Sequence, residues 1–139
     1  MALGDEIGAR LTSQGVCSTS AGSTGWMLRY RALTPAPVRQ VVVTPSGGLP
    51  QEGKAPIDRP GFQVLVRGSS ADGGELEAKV DQVIQAVNLF DGTLTGLYNS
   101  VPRVYVDIQK QGDTLFLGLD DNQRPIYSVN FLATRSRTT

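Results

Sequence analysis

The sequence has no histidine and a single cysteine, Cys17. Without histidine the chain lacks the commonest general base and the commonest metal ligand. One cysteine excludes an intrachain disulfide. No apolar run approaches the roughly 20 residues of a membrane-spanning helix. No charged, apolar and then small-residue leader opens the chain, so it is expected to be made and used without secretion. Basic and acidic residues balance at 13 each, so the basic excess with which most nucleic-acid binders displace phosphate counterions is missing. Charged residues are sparse at 19%, below the usual quarter for a soluble domain, which suits a subunit that assembles. The balance is also uneven. Residues 1–69 hold seven basic and four acidic groups, and residues 70–139 hold six and nine, so the halves differ in sign at +3 and −3.

The 139 residues are enough for one domain with a real core, and 1–139 is read as a single unit. Leu3, Ile7 and Leu11 recur every four residues and predict a short helix over 3–13. A Ser-, Thr- and Gly-rich loop follows to Gly25, with Cys17 inside it and no cationic neighbour in sequence to activate its thiol. Strands are expected over Trp26–Leu33, Gln40–Thr44 and Gly61–Arg67. The most regular pattern is Leu76, Val80, Val83, Ile84 and Val87 opposite Glu77, Asp81, Gln82 and Gln85. It predicts a long helix from a capping box at Asp72 and Glu75 to about Phe90. Arg103–Gln109 alternates, with Val104, Val106 and Ile108 read as inward. A tight turn at Gln111-Gly112-Asp113 and a returning strand Thr114–Leu119 are expected next. Pro125–Ala133 reads as the last strand, with Tyr127, Val129, Phe131 and Ala133 on one face, before a polar tail from Thr134. The expected class is α+β: a largely antiparallel or mixed sheet of about six strands, with one long helix and a short N-terminal helix packed on it.

Between the second and third strands lies Pro45–Pro60, with prolines at 45, 50, 56 and 60 and several glycines. It is read as a long loop that meets something outside its own domain. Its candidate contact residues are Gly47, Gly48, Leu49, Gln51, Glu52, Lys54 and Ile57. The same stretch imitates a phosphate-binding motif, since Gly48 to Gly53-Lys54 has the right spacing. The next residue is Ala55 where a magnesium-holding Ser or Thr is required, and a strand is expected where a helix should begin. Asp120-Asp121-Asn122 lacks the further ligands and closing glutamate of a calcium loop and reads as a hairpin turn. Arg29, Arg31, Arg39, Arg135 and Arg137 are read as solvated strand edges. No catalytic, cofactor or metal site is expected.

Two strings, Arg59-Pro60-Gly61-Phe62-Gln63-Val64-Leu65-Val66-Arg67-Gly68 and Arg124-Pro125-Ile126-Tyr127-Ser128-Val129-Asn130-Phe131, flank the helix in a pattern that resembles phage minor capsid and tail-terminator proteins. The resemblance covers roughly residues 1–133. It implies a non-enzymatic virion protein that forms a hexameric ring on the last ring of the tail tube and joins it to the head connector. Its partners would be further copies of itself, the tube protein and connector proteins, with no membrane and no sequence-specific nucleic acid. Assembly would take place in the host cytoplasm. The alternatives are a connector, stopper or other neck protein, or a soluble partner-binding module.

Overall fold

The computed structural model describes residues 3–19, 25–49, 57–69, 74–98 and 100–136. The elements run α1 (Leu3–Ser13), β1 (Met27–Tyr30), β2 (Gln40–Leu49), β3 (Ile57–Arg67), α2 (Gly74–Val87), β4 (Gly92–Thr95), β5 (Pro102–Leu119) and β6 (Pro125–Ser136). The six strands form one sheet in the order β1-β2-β3-β6-β5-β4. Only β1 and β2 are parallel; every other neighbouring pair is antiparallel. The α+β class and the mixed six-stranded sheet therefore stand as expected, although the strands that make up the six are partly different ones.

Both helices lie on one face of the sheet. Leu3, Ile7 and Leu11 of α1 are fully buried, as are Val41, Val43, Phe62, Val64 and Val66 of the sheet, with Phe131 almost so. Each such side chain contributes roughly 1.5–3 kcal/mol relative to leaving it in water. Helix α1 sits close to β1 because Gly4 and Gly8 present no side chain to Tyr30 and Leu28. At α2 the buried residues are Leu76, Lys79, Val80, Val83, Ala86 and Val87. Ile84 is only half-buried, so the apolar stripe is rotated slightly from the expected one. Helix α2, at 14 residues against 11 in α1, ends at Val87 rather than at the expected Phe90. Asp72, the expected cap, lies outside the described residues.

Three expectations fail at strands. The turn at Gln111-Gly112-Asp113 is no hairpin: β5 runs unbroken from Pro102 to Leu119 and pairs with β6 on both sides of those residues, from Tyr105 to Gln111 and from Leu115 to Leu119. The register shifts between Gln111 and Leu115, and Gly112 takes a left-handed φ of 70°, so the turn-like residues make a bulge inside one strand. A second shift between Tyr105 and Asp107 breaks the alternation: Tyr105 is buried while Val104 and Val106 are exposed. The sixth strand is β4, which sequence alone did not suggest. Finally, the tail expected from Thr134 is strand, since Asp58 pairs with Arg135 and Ile57 with Ser136; residues 137–139 lie outside the described residues.

Candidate assembly surface

Strand β5 is longer than its neighbour on the outer side. Strand β4 covers only Pro102–Tyr105. Just beyond, the end of α2 caps the strand: the Leu89 N–H donates to the Ile108 carbonyl at 2.7 Å, and the Lys110 N–H donates to Asn88 Oδ1 at 2.9 Å. From Gln111 to Leu119, no strand among the described residues pairs with the outer side of β5. This open edge carries Leu115, Phe116, Leu117 and Leu119, each more than half exposed. Phe116 lies over Tyr127 with ring centroids 5.3 Å apart, on the helix-bearing face. Soluble proteins usually blunt an open edge with charge, proline or a short strand, because unpaired N–H and C=O groups invite another chain. Here the edge carries exposed leucine and phenylalanine instead, the composition of an interaction patch rather than of a protected edge.

A buried polar cluster ties the other end of β5 to β6 and α1. Glu6, Tyr105 and Arg135 are buried together. The Tyr105 hydroxyl donates to Glu6 Oε1 at 2.6 Å, and Arg135 Nη1 donates to the same oxygen at 3.3 Å. Arg135 also grips both oxygens of Asp58 through Nε and Nη2, each at 3.2 Å. Burial, with help from the Glu6 carboxylate, raises the Tyr105 phenol well above its ordinary value. Arg135 was read as a solvated edge residue. It is instead interior, because β6 continues past Ala133 and turns position 135 toward α1. On the opposite face, Arg67 donates to the carbonyls of Val38, Thr34 and Pro37 at 2.7–2.9 Å, fixing that loop against the sheet. Asp120 closes the β5–β6 turn as expected, accepting from the amides of Asn122 and Arg124 and from Arg124 Nε at 2.7–2.9 Å. Desolvation would raise its carboxyl, but those donors hold it below the ordinary value.

Of the seven contact residues expected in a loop, four belong to the sheet. Gly47, Gly48 and Leu49 are in β2, and Ile57 opens β3. Gly48 pairs with Pro60 and Leu49 with Arg59 across a bulge, so the hairpin absorbs much of the expected loop. Prolines 45 and 60 are tolerated where the register shifts. Gln51, Glu52 and Lys54 lie outside the described residues. Cys17 is buried, and burial pushes its thiol up to about 12 against the opposing charge of Lys79. Among the described residues no cluster of Asp, Glu or Cys is suited to hold a metal, and no helix is long and apolar enough to cross a membrane.

The open edge was missed from sequence because 114–119 was assigned to a strand pairing back on 103–109. The signal was nevertheless present: Leu115-Phe116-Leu117 is a run without polar alternation, which a half-solvated strand does not need.

A family model described as bacteriophage tail terminator protein matches residues 10–137. Among solved structures, a chain of the virion of a native gene transfer agent particle is similar, at 16% identity and a TM-score of 0.63, with 97% of this chain and 95% of that one covered. A second solved chain, known only by a serial designation, is similar at 12% identity and a TM-score of 0.52, over 94% and 89% of the two chains. At these identities the two structures show a shared fold. No curated protein matches the chain.

Proposed function

The chain belongs to the bacteriophage tail terminator protein family, and from that premise we propose that it is the ring subunit that caps the tail tube and joins it to the head connector. The observation that carries the ring is the open, apolar edge of β5 from Gln111 to Leu119. An exposed ridge of this kind is stabilised when a neighbouring subunit removes it from water. The open stretch is itself paired to β6 from Leu115 to Leu119, so the edge is ordered within the sheet before contact and less ordering entropy opposes it.

On this reading the subunits form a hexamer on the last tube ring, stop tube growth, and offer the opposite surface to the connector. The hairpin of β2 and β3, with Gly47, Gly48, Leu49 and Ile57 in its strands and Gln51, Glu52 and Lys54 between them, is the candidate contact to the next ring. The zero net charge supports protein partners over nucleic acid. The role is structural rather than catalytic, in the virion tail or neck, with assembly in the host cytoplasm.

The test is removal of the chain from particle-producing cells. The expected result is over-long tails and heads without tails, both corrected when the intact chain is supplied. Tails of normal length beside unjoined heads would assign the chain to the connector or stopper instead. Normal, joined particles would defeat the reading.

A further inference from the structure

The register of the sheet runs in one row from Arg29 through Val42, Leu65 and Ser128 to Leu115. Arg29 on β1 and Leu115 on β5 therefore mark opposite ends of the same row. Four strand spacings separate them, about 19 Å. The two ends differ in charge. Beside the open part of β5 stand Asp113, with Glu77 and Asp81 of α2 close to Thr114 and Tyr127, and all three carboxylates are exposed. At β1 stand Arg29 and Arg31, neither in an ion pair among the described residues. Arg31 is exposed, and the Nε of Arg29 is buried with no hydrogen-bond partner among the described residues. The ends differ in shape as well. The β5 end is the ridge of Leu115, Phe116, Leu117 and Leu119. The β1 end opens into a cleft of about 420 Å³ lined by Asp5, Tyr30, Arg31, Val43, Pro45 and Tyr98, where the Asp5 carboxylate is engaged by the Tyr98 N–H at 2.9 Å.

We propose that these two edges meet between copies: the acidic, ridged β5 edge of one subunit docks on the basic, cleft-bearing β1 edge of the next. Within one chain the two sets stand at opposite ends of the sheet row and form no ion pair with each other among the described residues, which leaves them for a second copy to pair. Such a contact is head-to-tail. It adds subunits in one direction and closes into a ring when the rotation per step divides a full turn. Charge complementarity sets direction and partner choice, and burial of the ridge supplies the attraction. The inference rests on the ring reading above and specifies which surfaces make the ring.

The experiment is native mass spectrometry of the full chain, alone and on purified tail tubes. One variant carries Asp81→Lys and Asp113→Lys; the other carries Arg29→Glu and Arg31→Glu. Each alone is expected to lose rings at least tenfold. An equimolar mixture is expected to recover them, because the reversed edge of each variant then meets an opposite charge on the other. Arg31→Glu alone, at an exposed position, replaces the double variant if circular dichroism shows the latter unfolded. Rings from both variants at the wild-type level, or no recovery on mixing, would overturn the proposal while leaving the ring reading intact. A wild-type chain that forms no ring alone or on tubes would defeat the ring reading and this proposal together.

Discussion

Tyr105 and Glu6 lie 99 residues apart in the chain and meet through a 2.6 Å hydrogen bond in the interior. Arg135, 129 residues from Glu6, donates to the same oxygen. Three distant segments, α1, β5 and β6, are thereby tied at one point. Removing one partner of a buried pair costs about 3–5 kcal/mol, because the other charge stays buried without it. Glu6→Ala is expected at the low end of that range, since Arg135 keeps Asp58. Tyr105→Phe is expected to cost about 1–2 kcal/mol through a buried acceptor left short of one donor. Urea midpoints measure both; an unchanged midpoint for Glu6→Ala would mean the cluster carries no stability.

Val83 is fully buried on α2, while its neighbour Ile84 is half-buried. Val83→Ala deletes two carbons from the core, worth about 2 kcal/mol at 0.8 kcal/mol per carbon plus any cavity cost. Ile84→Ala is expected to cost less despite removing more atoms. Equilibrium denaturation checks the order, and a larger loss at Ile84 would place the helix face wrongly.

The Cys17 thiol ionises at about 12 in the folded chain against an ordinary 9.0. Its folded value is raised, so it contributes stability that is present below about pH 9 and is lost as pH rises toward 12. The buried Tyr105 and Tyr30 phenols, also raised, push in the same direction. Thermal midpoints are expected to hold steady up to pH 8 and then fall, less steeply in Cys17→Ala. A thiol reagent at pH 8 should leave the native protein unlabelled and label it fully in urea. Rapid labelling of the native chain would contradict the buried placement.

Deleting Gly47 to Lys54 shortens the hairpin of β2 and β3. The core strands pair without those residues, from Gln40 with Arg67 to Pro45 with Phe62, so the variant is expected to fold. It is expected to fail in joining heads to tails when it replaces the intact chain in particle-producing cells. Normal yields of joined particles would show that residues 47–54 are dispensable.

Much of this fold can be read from local pattern. The stripes of α1 and α2, and the alternation of Tyr127, Val129, Phe131 and Ala133, are set by residues three, four or two apart. What failed depended on distant partners. Gln111-Gly112-Asp113 has the chemistry of a hairpin turn, but β6 is long enough to pair with both sides of it, so the chain bulges instead of reversing. Tyr105 looked outward until a register shift, invisible in sequence, turned it inward. Arg135 looked like a tail residue because its partners, Glu6 and Asp58, are far away in the chain. The open edge of β5 went unread for the same reason: an edge is defined by the absence of a neighbour, which only the whole sheet reveals.

The proposed ring stands at the head-proximal tip of the tail. Electron microscopy of purified tails carrying an affinity-tagged copy of the chain tests it directly. Label is expected on one ring at one end of each tail, with a mass of six copies of the 14.8 kDa chain. Label spread along the tube, or found only at the distal tip, would contradict it.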